Sequence, residues 1–331
     1  VFADTRNYEG GRNMILKIKE KNISVWPVIL IAVIVMFTVG LAFGGTSKAT
    51  QKQKTFNSPE EAVKAAVTAA KNNDDKELIA IFGASAKDLI FSGDAVADKQ
   101  RRERFMKAYD EKNSLVSEKG GMVIVIGKND WPFPIPIAKK GETWFFDTDK
   151  GREEILNRRI GENELSAIQT MLAIVDAQRE YAMKAIHRDG IPEYAQKLMS
   201  DAGKKNGLYW ETKEGEEPSP LGPALAQAKQ EGYSGKKSGD EPSPFHGYYY
   251  RILKAQGKNA AEGAYDYVVK GKMIGGFAVV AYPAKYANSG VMTFIVNHDG
   301  VVHQKNLGKD TAKIATSITV YDPDKTWVKA Q

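Results

Sequence analysis

Cysteine is absent from the 331 residues, which excludes disulfides, thiolate zinc sites, iron–sulfur clusters, thiol nucleophiles and a lipidated cysteine anchor. Histidine is scarce. The four histidines, His187, His246, His298 and His303, stand far apart along the chain. No Gly-x-Ser-x-Gly elbow, His-Glu-x-x-His pair, Gly-x-Gly-x-x-Gly turn or phosphate-binding P-loop occurs. A charge of one sign is also missing: 47 Lys+Arg face 41 Asp+Glu, and the lysines are scattered, so no nucleic acid is expected as a partner. With 42% hydrophobic and 27% charged residues, the composition is that of a globular chain long enough for about two domains.

What is present begins with one long apolar run. Val25 to Phe43 carries no charged side chain and as a helix would span about 28 Å, close to the hydrocarbon core of a bilayer. Lys17, Lys19 and Lys21 precede it. That pattern fits an uncleaved single-pass anchor, while Ser47-Lys48-Ala49 offers a small-x-small site for cleavage as an export signal. Met14 is a plausible true start. The organisation expected is a leader at 1–24, the transmembrane or signal segment at 25–44, a tether at 45–55, a small α+β domain at 56–149 and a second α+β domain at 150–331. The bulk of the chain is expected in the periplasm, either anchored in the inner membrane or free after cleavage.

Beyond the tether, Ser58 is a candidate N-cap, with Pro59 at the first helical position and Glu60 and Glu61 in the first turn. Lys76–Phe82 and Ala97–Tyr109 also read as helices. Met122–Ile126 is a β-branched strand and Thr143–Asp147 another. Between them, Trp131 to Ile137 alternates apolar residues with Pro132, Pro134 and Pro136, which places the segment at a sheet edge or in polyproline II. Lys150–Arg159 and Glu162–Lys184 read as two helices, the second with a stripe of Leu165, Ile168, Leu172 and Val175. Tyr194–Met199 reads as a short helix. From His246 onward the pattern is strands, with Asn297 to Gly300 as a tight hairpin turn and a last helix over Thr311–Ile318.

Chemistry-bearing candidates are few. Asp189 and Glu193 supply two oxygens where a hard cation takes about six, so no metal is assigned, and no cofactor or catalytic residue either. Ser234-Gly235-Lys236-Lys237 fits Ser-x-x-Lys but lies in a glycine-rich loop. His246 has Asp240 or Glu241 as a partner, or caps an element; His298 with Asp299 belongs to the turn. A candidate surface for a peptide, glycan or envelope-protein partner is made of Trp131, Phe133, Tyr209, Trp210 and His246.

Several stretches resemble a bacterial exported family known only as domain of unknown function twenty-nine fifty. They are Thr55-Phe56-x-Ser58-Pro59-Glu60-Glu61-Ala62, Asp130–Pro136, Val175–Ala182, Gly207–Trp210, Ser219–Pro223, His246–Leu253 and Met273–Tyr286. The resemblance implies export to the envelope and carries no assigned activity. A second resemblance rests on Ala177, Gln178 and Tyr181, then Gly247-Tyr248, Ala281-Tyr282-Pro283 and Asn297–Val301. It is similar to the globular head of type IV pilin-like proteins and implies a long helix packed on an antiparallel sheet. The apolar segment lacks the Gly-Phe site and the Glu that pilin assembly uses. The function expected is a non-catalytic structural or interaction module; the alternative is a hydrolase or metal-dependent enzyme in which His246, His298, Asp189 and Glu193 converge.

Overall fold

The computed structural model describes residues 52–118, 120–184, 190–233 and 243–330. The Val25–Phe43 run, most of the tether, Asp189 and the Ser234–Lys237 stretch lie outside them. Among the described residues no helix is long and apolar enough to cross a membrane.

Helix α1 (Pro59–Lys71) starts as its sequence requires: Ser58 is extended and its Oγ accepts from the Glu61 N–H at 3.2 Å. Asp74 caps α2 (Asp75–Phe82) in the same way. A single turn, α3 (Lys87–Ile90), leads to α4 (Ala95–Glu111), whose N-cap is the buried Asp94. An antiparallel sheet follows, built from β1 (Asn113–Glu118), β2 (Gly121–Ile126), β3 (Trp131–Pro132), β4 (Ile137–Lys140) and β5 (Thr143–Phe146). The proline segment splits across it. Trp131 and Pro132 pair β2 alone, opposite Ile126 and Val125, whereas Ile137 enters β4 between β2 and β5. Helices α1, α2 and α4 and this sheet enclose a first apolar cluster that includes Ala62, Val63, Ile81, Met106, Ile126, Ile137 and Phe146.

Helix α5 (Thr148–Lys184) is one continuous helix where the sequence suggested two. Gly161 interrupts nothing, at a cost of about 1 kcal/mol relative to alanine that packing on both sides outweighs. Gly151 lets the first turn approach the Pro134–Ile135 backbone: a Cβ there would stand 2.5 Å from the Pro134 carbonyl oxygen. Further along, the helix lies on a second antiparallel sheet in the order β14-β13-β12-β11-β6. These strands are β6 (Tyr248–Leu253), β11 (Ala278–Pro283), β12 (Met292–Asn297), β13 (His303–Asn306) and β14 (Val328–Lys329); the chain from β6 to β11 forms two separate pairs of two-residue strands, β7 (Ala255–Gln256) with β8 (Tyr265–Asp266) and β9 (Val268–Val269) with β10 (Lys272–Met273).

The expected stripe on α5 is buried only in part. Leu165 is 61% exposed and Leu172 39%, while Ala167, Met171, Ile174, Val175 and Gln178 are buried. Of the expected stripe, Val175 is buried and Ile168 packs against the core, whereas the two leucines do not follow; Ala167 and Gln178 belong to the buried face instead. Gln178 satisfies both ends of its amide on Ala195, donating to the carbonyl and accepting from the N–H, each at 2.8 Å. Strand β11 is buried on both faces, since α5 packs on it and so does α7 (Thr311–Ser317). The hairpin forms as expected: the Gly300 N–H donates to the Asn297 carbonyl at 2.9 Å, with Gly300 at φ 82°. Tyr194–Met199 is not a helix, because Tyr194 bridges to Met273 and Met199 to Tyr209. A further helix, α6 (Gly222–Gln230), forms ahead of β6.

Between the two apolar clusters lies a buried polar layer. Arg159 Nη1 donates to the Asp88 carbonyl at 2.9 Å and to Asn288 Oδ1 at 2.6 Å, and Nη2 donates to the Leu89 carbonyl. Asn163 Nδ2 donates to the Ser289 carbonyl at 2.7 Å. Asp94, besides capping α4, accepts from the Gly247 N–H at 2.9 Å and the Tyr233 hydroxyl at 3.0 Å.

Candidate functional site

Helix α4, the β2–β3 turn and the first half of α5 leave a cleft of about 720 Å3 between them. That volume falls within the roughly 300–1,000 Å3 of small-molecule sites. Its floor is aromatic. Phe133 stands 5.2 Å from Phe105 and 6.2 Å from Phe82, ring centre to ring centre, and Trp131 lies 6.3 Å from Phe133. Leu89, Ile126 and Ile155 extend the same apolar surface. Local sequence sets this up: Asp130 takes φ 53° in the turn after β2, and β3 then presents Trp131 at the mouth. The guanidinium of Arg158, one turn along α5 from Ile155, sits 5.0 Å from the Trp131 ring centre, a cation–π distance.

The wall is strongly cationic. Arg101, Arg102 and Arg104 come from α4, Arg158 and Arg159 from α5, and Lys128 from the turn. Some of these charges are already committed. Lys128 holds Glu111 at 2.7 Å, Arg102 holds Asp75 at 2.8 Å and Arg158 holds Glu154 at 2.5 Å. Others are not. Arg101 Nη2 donates to Asn163 Oδ1 at 2.7 Å, but its Nε and Nη1 are buried without a hydrogen-bond partner. The nearest carboxylates, Asp98 at 3.6 Å and Glu162 at 3.8 Å, are too distant for a hydrogen bond. Arg159 is 4% exposed, bonds only uncharged acceptors and leaves Nε unpaired. Burial lowers the pKa of both arginines, that of Arg159 to about 10, and the positive charge of Arg101 beside it adds to the shift. Burial likewise raises that of Asp98.

Of the residues singled out from the sequence, Trp131 and Phe133 meet in this cleft. Tyr209, Trp210 and His246 are not among the residues that line it. Tyr209 carries Lys229 over its ring at 5.5 Å, and Trp210 packs edge-on to Tyr181 with Lys205 at 5.4 Å. His246 Nε2 lies 3.3 Å from Glu231 Oε2, because α6 delivers Glu231 to it; the partners suggested by sequence, Asp240 and Glu241, lie outside the described residues. His298 is more than a turn residue, since its ring packs edge-on against Tyr267 and Phe277. The neighbours of His246 and those of His298 have no residue in common. Sequence reasoning missed Arg101, Arg104, Arg159, Phe82 and Phe105. The available signals were Arg101-Arg102-Glu103-Arg104-Phe105, in which Arg101 and Phe105 share a helical face, and the Arg158-Arg159 pair.

An α+β chain with antiparallel sheets, a long helix and an arginine-walled apolar cleft is thus defined by its own geometry. The chain belongs to the family described as Protein of unknown function (DUF2950), whose model matches residues 53–330. No curated protein and no solved structure matches it.

Proposed function

We propose that this chain is a non-catalytic interaction module of the bacterial envelope that uses the α4–α5 cleft to bind the apolar part of a ligand. The observation that carries the reading is the aromatic floor of Phe82, Phe105 and Phe133 with Trp131 at its mouth. The charge-free run at Val25–Phe43 supports a single pass through the inner membrane with the bulk in the periplasm, or export followed by cleavage. The long helix laid on an antiparallel sheet supports a pilin-type head for the C-terminal half.

The uncharged fluorophore N-phenyl-1-naphthylamine tests the cleft. Its emission should rise on mixing with the full chain, and the rise should fall several-fold in Phe105→Asp and in Trp131→Ala. Emission that does not rise, or rises equally in both variants, would remove the cleft from the reading. For location, a C-terminal epitope should be digested by protease added to spheroplasts and protected in intact cells. Protection in spheroplasts would place the bulk on the other side of the membrane.

A further inference from the structure

We infer that the ligand of this cleft is a long-chain carboxylate, with its hydrocarbon tail on the Phe82–Phe105–Phe133 floor and its carboxylate at Arg101. The inference rests on the reading of the cleft as a binding site and adds the chemistry of what it binds. Three observations carry it.

The first is the charge balance inside the wall. With Lys128, Arg102 and Arg158 each held by a close carboxylate, three cations remain: Arg101, Arg104 and Arg159. Asp98 and Glu162 are the carboxylates nearest Arg101, with Arg104 3.7 Å from Glu162, and neither is within hydrogen-bond distance of Arg101. Arg101 and Arg159 thus have no hydrogen-bonded carboxylate, and an anion entering the wall meets positive charge that is only partly met.

The second is the pair of empty donors on Arg101. A buried guanidinium N–H without an acceptor costs about 1–3 kcal/mol, more for a charged group, so Nε and Nη1 favour an incoming oxyanion. Arg159 strengthens the field there without reaching out, because its Nη groups are spent on the polar layer.

The third is the floor itself. It offers rings and aliphatic side chains and so suits a tail that has no donors or acceptors. A peptide or a sugar would bring backbone amides or hydroxyls onto that surface and lose their hydration without replacement.

The experiment uses the full chain held in amphipol and a diazirine-bearing palmitate analogue, with cross-linked peptides mapped by mass spectrometry. Palmitate, hexadecanol and hexadecyl phosphate serve as competitors. Labels should fall on α4, on the segment around Phe133 and on the first half of α5. Palmitate should displace the probe at least about tenfold better than hexadecanol, the effect of one charge-assisted hydrogen bond in a dry site. Arg101→Gln should erase that preference, palmitate and hexadecanol then competing equally, with an unchanged circular dichroism spectrum showing that the variant is folded. Equal competition by palmitate and hexadecanol would overturn the carboxylate and leave the apolar cleft standing. Stronger competition by hexadecyl phosphate would overturn the monoanion in favour of a phosphate. Labelling that avoids the cleft would overturn both the ligand and the binding site.

Discussion

Asp94 shows how much one side chain can hold at the junction of two cores. Its carboxylate accepts from the Ala97 N–H, the Gly247 N–H and the Tyr233 hydroxyl, joining the start of α4 to the loop before β6. Asp94→Ala strands these donors in a buried place and is expected to cost on the order of 3 kcal/mol, read as a fall in the urea midpoint with the slope unchanged. His246 acts on stability in a pH-dependent way. Burial lowers its pKa, with Glu231 and Asp94 opposing. A histidine whose folded pKa lies below its unfolded value of about 6.5 stays neutral in the fold while the unfolded chain takes up a proton. Stability therefore falls as pH drops through about 6.5 and levels off below the folded pKa. His303, also lowered by burial, adds a slope of the same sign. His246→Asn tolerates the positive φ of 49° and should flatten part of the slope between pH 7.5 and 5.5; an unchanged slope would assign it elsewhere.

At the scale of elements, α5 contacts both apolar clusters through different faces and different residues. Gly151 is the clearest case. Alanine in a helix interior normally gains about 1 kcal/mol over glycine, yet here a Cβ would press on the Pro134 carbonyl and the Ile135 amide nitrogen. Gly151→Ala is expected to destabilise by about 1–3 kcal/mol, because the obstruction is backbone and cannot rotate away. Leu165→Ala is the matching control: the side chain is mostly exposed, so its removal should stay within about 0.5 kcal/mol. Thermal melts of the two variants against the parent chain decide the point. Comparable losses in both would mean that Leu165 is covered by something in solution.

At the scale of the whole molecule, the described residues belong to one compact unit in which two apolar clusters share α5 and the polar layer around Arg159. Such coupling predicts one cooperative transition. Phe294 is fully buried in the second cluster, so Phe294→Ala should cost about 3–5 kcal/mol. Hydrogen exchange should then report the same loss at the most protected amides of β2 and β12. A loss confined to β12 would show that the two clusters open independently.

Patterns that depend on neighbours in the chain were legible before any coordinates. The Ser58-Pro59-Glu60-Glu61 start of α1, the Asn297–Gly300 turn and the proline-bearing edge at Trp131–Pro132 follow from capping, positive φ and a missing donor, all local properties. The apolar half of the cleft was half visible for the same reason, through Trp131 and Phe133. Its charged half was not. Arg101 and Arg159 lie on helices rich in charge, and a run of arginines reads as a solvated face until another helix closes over it. The buried face of α5 was only partly read on similar grounds, since Val175 is buried as expected, but Ala167 and Gln178 are buried too while Leu165 meets water. The amino-acid order by itself determined where helices and turns begin. Only the tertiary structure decided which charges lose their water, because desolvation comes from residues far away in the chain: Asn288 and Leu89 around Arg159, and Asn163 beside Arg101.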